Sequence, residues 1–310
     1  MMHNIDRIIA NIRKVFIGDF EVVRLVLTAL LARGHLLIED VPGIGKTLLG
    51  IALARSIDSS FRRIQFTNDL LPSDILGLSV FNPRENSFEF RFGPIFNHII
   101  LADEINRTTP KTQSALLEAM NDLQVTVDGS TYPLPDPFMI IATQNPIEYH
   151  GTYPLPEAQL DRFLLRLKIG YPLPENEKEI IRGKDLYQQA MALQPVLKSG
   201  EVVDLQAQVD AVKVDDSLLE YVIRIAGETR RTKNIKLGVS PRGALLLRRA
   251  AQAYALTHDR TYVVPDDIKA IAVPVLAHRI VIDSQSYGLL RIQESDAIIE
   301  EIVKKVAVPI

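Results

Sequence analysis

Apolar residues in the first half of the chain come in short blocks separated by stretches with helical spacing. His35–Glu39, Phe61–Phe66, His98–Ala102, Phe138–Thr143 and Phe163–Leu167 are such blocks. Blocks of this length, alternating with helical patterns, predict buried strands of a parallel sheet covered by helices. Thr109-Pro110 marks a helix start, with proline at the first helical position and Leu116, Leu117 and Met120 on the apolar side. Two segments break this rhythm. Asn68 to Phe92 carries Pro72, Gly77 and Pro83 and then alternates Phe88, Phe90 and Phe92. Gln124 to Pro135 alternates Val125 and Val127 before Asp128-Gly129, a strong hairpin turn signal. Both predict β-hairpins inserted into the α/β core.

After Tyr171-Pro172-Leu173-Pro174 the pattern becomes helical to the end. Ser240-Pro241 opens a helix whose Ala244, Leu247, Ala251 and Tyr254 share one face, and Pro265-Asp266-Asp267 opens another. At 310 residues the chain exceeds the size at which one core stops growing. The expectation is therefore an α/β core over residues 1–172 and an all-α domain over 173–310. No repeat or low-complexity tract interrupts either part.

Composition narrows the chemistry. With no cysteine, disulfides, thiolate catalysis, zinc–thiolate sites and iron–sulfur clusters are excluded. The net charge of −3 argues against a chain that mainly wraps nucleic acid, so no sequence-specific nucleic-acid binding is expected. Val22 to Ile38, the most apolar early stretch, is broken by Arg24, Arg33 and His35, and no membrane span is expected. The start does not read as a secretory signal, which points to a soluble, cytoplasmic protein.

Pro42-Gly43-Ile44-Gly45-Lys46-Thr47 follows the first predicted strand and precedes a helix containing Leu48, Ile51 and Ala52. Glycines let backbone N–H groups point inward around phosphates, and the helix N-terminus adds donors and a favourable dipole. Lys46 would reach the β- and γ-phosphates, and the Thr47 hydroxyl would ligate Mg²⁺. The common pattern has glycine five residues before Gly45, where this chain has Asp40. Ile99-Ile100-Leu101-Ala102 ends in Asp103-Glu104. Asp103 would hold the Mg²⁺ shell, and Glu104 would polarise a water for attack on the γ-phosphate.

Three further elements each admit two readings. Asn145, at the end of the fourth strand, could contact the attacking water, or could simply open a turn before Pro146. Arg162 could be an arginine finger, or could form a surface pair with Asp161. Arg242, in Ser240-Pro241-Arg242, opposes the helix dipole unless an anion lies nearby, and is otherwise a surface arginine.

Taken in order, these elements resemble the AAA+ ATPases, and specifically the MoxR family. Other matching stretches are Gly34–Glu39, Phe66–Asp74, Ala102–Arg107 and Ala142–Pro146, and Gly151–Phe163 is the most diagnostic. The resemblance implies a P-loop NTPase core with a five-stranded parallel sheet and inserted β-hairpins, followed by an all-α lid. It implies ATP with Mg²⁺, bound by Pro42, Gly43, Ile44, Gly45, Lys46, Thr47 and Leu48, with Ile17 and Gly18 on the adenine side. Relatives usually carry Gly-Gln where this chain has Ile17-Gly18-Asp19. Asp103 and Glu104 match Walker B, Asn145 sensor 1, Arg162 the trans-acting finger and Arg242 sensor 2. The family's relatives form rings, usually hexameric, whose hairpins face the pore. They act as chaperone-like motors, often with von Willebrand factor A domain proteins. Two other readings keep the fold and change the function: a nucleic-acid-translocating motor, and a nucleotide-gated scaffold that does not use hydrolysis.

Overall fold

The computed structural model describes residues 4–41, 43–146, 151–172, 174–181, 185–284, 286 and 288–309. Two helices, α1 (Asn4–Ile12) and α2 (Phe20–Leu31), precede the first strand, β1 (Leu36–Glu39). Then come α3 (Lys46–Ser56), β2 (Phe61–Gln65), α4 (Pro72–Leu76) and the hairpin β3 (Gly77–Asn82) and β4 (Ser87–Phe92). β5 (Ile99–Asp103), α5 (Pro110–Asp122), the hairpin β6 (Gln124–Val127) and β7 (Ser130–Pro133), β8 (Met139–Gln144), α6 (Glu157–Leu160) and β9 (Leu165–Leu167) complete the α/β part.

The five strands β2, β5, β8, β1 and β9 lie side by side in that order, all parallel. Successive side chains on a strand face opposite ways, and each face of this sheet has its own apolar core. Leu36, Ile38, Ile99, Leu101, Met139 and Ile141 face α1, α2 and α3. Leu37, Ile100, Ala102, Ile140 and Ala142 face Leu116, Leu117 and Met120 of α5. Burial on both faces explains why β1, β5 and β8 read as continuous apolar runs, whereas the edge strand β2 alternates and is largely exposed.

Both predicted hairpins form as antiparallel pairs. Asp128 and Gly129 both take positive φ, 51° and 79°, as the tight turn requires. A short helix, α4, precedes the first hairpin, because Pro72 starts a turn that Asp74 caps by accepting from the Leu71 N–H at 2.9 Å. Phe90 stacks on Tyr132 with ring centroids 4.2 Å apart, so the two hairpins touch.

The C-terminal part comprises α7 (Pro174–Ile181), α8 (Leu186–Met191), α9 (Ser199–Ala211), α10 (Asp216–Arg231), β10 (Ile235–Leu237), α11 (Pro241–Thr257), α12 (Pro265–Leu276), β11 (Val281–Ile282) and α13 (Gly288–Lys305). It is helical as expected, but β10 and β11 add a two-stranded antiparallel ribbon that the helical pattern does not predict. These strands are two and three residues long, too short for any periodicity to register. The lid is not loosely attached. The core that holds Leu36 and Ile38 continues through Leu247, Ala251 and Ile271. Gln206 Nε2 donates to Leu30 O at 2.7 Å, and Arg249 Nε donates to Ala32 O at 2.8 Å, capping α2 with lid side chains.

His35, at the amino end of β1, ties the sheet to α5. Its Nδ1 accepts from the Ile140 N–H at 3.1 Å, and Nε2 lies 3.0 Å from Met120 O, which requires the neutral ring with the proton on Nε2. Burial lowers its pKa to about 4, with the bond to Met120 opposing the shift. The unfolded chain therefore takes up this proton below pH about 6.5 while the folded chain does not. Stability should fall as pH drops from 6.5 toward 4, by up to about 3 kcal/mol from this group. Urea midpoints for the parent and His35→Gln test it: the parent's loss over that window should shrink in the variant.

Candidate active site

The phosphate loop joins the carboxyl end of β1 to α3, where open parallel sheets present their ligand crevices. Gly43 and Gly45 take φ of 83° and 90°, conformations that other residues rarely adopt. Among the described residues, apart from its chain neighbours, no heavy atom lies within 4 Å of where a Cβ on Gly43 would sit, so this side of the loop is open. Pro42 lies outside the described residues. Lys46 opens α3 and its Nζ donates to the carbonyl oxygen of Asp40 at 2.7 Å. Burial pushes the Lys46 pKa down, while the charges of Asp40, Asp103 and Glu104 pull it up.

A cleft of about 420 Å³ opens over this loop, and its lining includes Asp40, Gly43, Gly45, Lys46, Thr47, Leu48, Asp103, Glu104 and Asn145. The strand ends bring these groups together, because β5 and β8 both finish beside β1. Asp103 and Glu104 are held by neighbours that the sequence reading did not single out. Thr143 Oγ1 donates to Asp103 Oδ1 at 2.6 Å and accepts from the Glu104 N–H at 2.9 Å. Arg63 grips Asp103 Oδ2 through Nε at 3.0 Å and Nη2 at 2.6 Å. Gln65 Nε2 donates to Glu104 Oε2 at 2.8 Å, and Arg107 Nε lies 3.0 Å from the same oxygen. Glu104 itself has φ of 59°, an unusual conformation for a residue with a side chain, of the kind that collects at functional sites.

A second cavity of about 430 Å³ shares Gly43, Gly45 and Leu48 with the first. Its other walls include Phe16, Ile17, Ile44, Tyr171 and Pro172, an apolar set suited to a flat base. Ile17 thus lies where the base side was expected. Gly18 is not among its lining residues, although a Cβ there would meet the Phe16 ring at 2.7 Å. Asp19 has its own local task, capping α2 by accepting from the Glu21 N–H at 2.9 Å.

Arg162 and Arg242 do not join this site. They line a separate cleft of about 300 Å³ with Arg33, His35 and Arg249, at the amino end of β1. From Gly34 to Asp40 the chain rises roughly 20 Å at strand geometry, more than an arginine side chain spans. Arg162 Nη1 donates to Leu117 O at 2.5 Å, and Arg242 Nε lies 3.4 Å from Asp161 Oδ2. A buried lid residue, Arg279, anchors this corner. Its guanidinium donates to Asp161 Oδ1 at 2.9 Å and to the carbonyls of Asp161, Phe163 and Leu164. Burial lowers the Arg279 pKa to about 10 against the pull of Asp161, which keeps it charged at neutral pH.

Fit to a divalent ion follows from the donor set. Among the described residues no cluster of three or more His, Asp or Glu could hold a metal by itself. The Thr47 hydroxyl and Asp103 carboxylate are hard oxygen donors beside the phosphate cradle. That suits a Mg²⁺ ion that keeps waters and takes further ligands from phosphates.

Comparisons with known proteins agree with this architecture. Residues 35–165 match the family model of the ATPases associated with various cellular activities (AAA), and residues 227–302 match the AAA lid domain. The fold and cleft therefore define a AAA ATPase. Chaperone MoxR1 of Mycobacterium tuberculosis is 38% identical over 99% of this chain and 83% of its own length. The Bacillus subtilis protein YeaC, whose role is uncharacterized, is 50% identical over 97% of this chain and 94% of its own. A crystal structure assigned as an ATPase of Cytophaga hutchinsonii superposes with a TM-score of 0.88 at 38% identity, covering 99% of this chain and 95% of that one. The chain belongs to the MoxR family of AAA ATPases. Among the described residues no helix is long and apolar enough to cross a membrane.

Proposed function

We propose that this chain is an ATP-hydrolysing, chaperone-like ring motor that remodels or matures a protein partner. The observation that carries the reading is the convergence of Lys46, Thr47, Asp103, Glu104 and Asn145 on one cleft at the carboxyl end of the sheet. The loop N–H groups and the start of α3 take the phosphates, and Lys46 leaves the Asp40 carbonyl for the β- and γ-oxygens. Thr47 and Asp103 would hold Mg²⁺, which would supply charge neutralisation on those phosphates. Glu104 accepts the proton of the attacking water, and Asn145 orients that water. Residues 1–172 act as the nucleotide-binding core and 173–310 as the lid.

Arg162 and Arg242 share one cleft at the far end of β1, which supports a role toward a neighbour's phosphates rather than those of their own subunit. Both act on a neighbour in a homo-oligomeric, hexameric ring. The hairpins supply the contact with the protein substrate: the stack of Phe90 on Tyr132 joins them, and Phe88 is 74% exposed. The name of the chaperone MoxR1 supports the chaperone reading, and a von Willebrand factor A domain protein is the partner class that the family resemblance implies.

Lys46→Ala tests the core of this reading. It removes the one ammonium facing the phosphates from the loop, and phosphate release should fall to background. Turnover at the parent rate in a folded variant would mean that this cleft is not the site.

A further inference from the structure

Asp40 stands where the common loop pattern has glycine, and the hydrolytic reading makes no use of its side chain. That side chain is nevertheless fully engaged. Oδ1 accepts from the Val41 N–H at 2.8 Å, while Oδ2 accepts from the Ile169 N–H at 2.8 Å and the Gly170 N–H at 2.7 Å. One carboxylate thus fastens the start of the phosphate loop to the turn that follows β9. Bonds of this kind, from N–H groups to a full negative charge, are stronger than neutral ones.

The turn matters for what comes next. Gly170 takes φ of 73°, a conformation that swings the chain off the sheet edge. Tyr171 and Pro172 follow directly and line the second cavity together with Phe16, Ile17 and Leu48. Tyr171 is 75% exposed, so little side-chain packing sets its place. Its position comes from the backbone before it, and Asp40 holds that backbone.

We propose that Asp40 is a positioning residue that fixes Tyr171 as a wall of the base pocket, so that its side chain governs affinity for the base rather than for the phosphates. The proposal rests on the nucleotide-binding reading above. Asp40 meets both sides: its carbonyl oxygen meets Lys46, on which its charge also acts, and its carboxylate holds Ile169 and Gly170, the turn that leads into the base-side wall at Tyr171. Asparagine does not replace it fully, because the amide nitrogen would confront an N–H donor at one of the two oxygen positions.

Calorimetric titration of ATP and of inorganic tripolyphosphate into the parent, Asp40→Ala, Tyr171→Ala and the double variant tests this. Each single change should weaken ATP ~10-fold while tripolyphosphate weakens by less than ~2-fold, loss of the Asp40 charge near Lys46 favouring the anion if anything, and the double variant should bind ATP no more weakly than the worse single. Additive losses overturn the proposal, because Asp40 would then not act through Tyr171. Equal losses for both ligands in Asp40→Ala overturn it too, since the carboxylate would then shape the phosphate cradle itself. Should Asp40→Ala fail to fold, Gly170→Ala strains the same turn at its positive φ. It should reproduce the ATP-selective loss, and parent-like ATP affinity there is again an overturning result. A parent that binds neither ligand removes the nucleotide reading together with this proposal. A parent that binds both while Tyr171→Ala has no effect removes this proposal alone.

Discussion

Arg162→Ala should bind ATP nearly as the parent does and hydrolyse it at least ~10³-fold more slowly, an effect of about 4 kcal/mol on the barrier. The geometry gives the first half of this expectation and the proposed ring the second. Arg162 lines none of the phosphate cleft, so its removal leaves the subunit's own pocket intact. In the ring proposed above, its guanidinium would leave the Leu117 carbonyl that it now meets and stabilise charge on the neighbour's γ-phosphate. Arg279 makes this economical, because it pins Asp161, Phe163 and Leu164 around Arg162 and leaves only the finger's side chain to reorient. Activity per subunit should rise with protein concentration as rings close. The decisive measurement mixes two inactive proteins. Lys46→Ala subunits retain the finger, and Arg162→Ala subunits retain a working pocket, so mixed rings should recover part of the parent rate. Mixtures shown to co-assemble, yet still inactive, would remove the trans-acting role.

The parts of this molecule that chemistry fixes locally were legible before the structure. Continuous apolar runs marked β1, β5 and β8, because burial on both faces leaves little other composition available. Asp128-Gly129 announced its hairpin because few residue pairs tolerate two positive φ angles in succession. That Lys46, Thr47, Asp103 and Glu104 share one cleft could be expected from the sequence, because each stands at or after the carboxyl end of a strand in one parallel sheet. What stayed hidden depends on register between strands distant in sequence. Gln65 reaches Glu104 only because β2 pairs with β5 so that Gln65 lies opposite Asp103. The alternation in Phe61-Arg62-Arg63-Ile64-Gln65 did place Arg63 and Gln65 on one face, which was the available signal. Thr143 looked like an ordinary strand residue, yet its hydroxyl joins Asp103 to the Glu104 backbone. Arg279 gave no signal, since its partners lie more than a hundred residues away. Asp40 read as a departure from a pattern because its partners, Ile169 and Gly170, belong to the other end of the α/β part.

Glu104→Gln should separate chemistry from binding at the same cleft. The exchange keeps side-chain length and keeps an acceptor for Gln65, whose Nε2 now lies 2.8 Å from Glu104 Oε2. The ion pair with Arg107 is lost, but both partners are partly exposed, so the cost is roughly 0–1 kcal/mol. The backbone at φ 59° is held by the bond from the Glu104 N–H to Thr143, which the exchange does not touch. Folding and ATP affinity should therefore stay close to the parent. An amide, however, cannot accept the proton of the attacking water, and turnover should drop ~10²–10⁴-fold. Gel filtration after incubation with ATP, followed by chromatography of the released nucleotide, reads the result directly. The variant should retain uncleaved ATP where the parent retains ADP. Parallel loss of binding and turnover would instead make Glu104 a structural carboxylate that holds Gln65 and Arg107 in place. Parent-like turnover would move the base to another residue of the cleft.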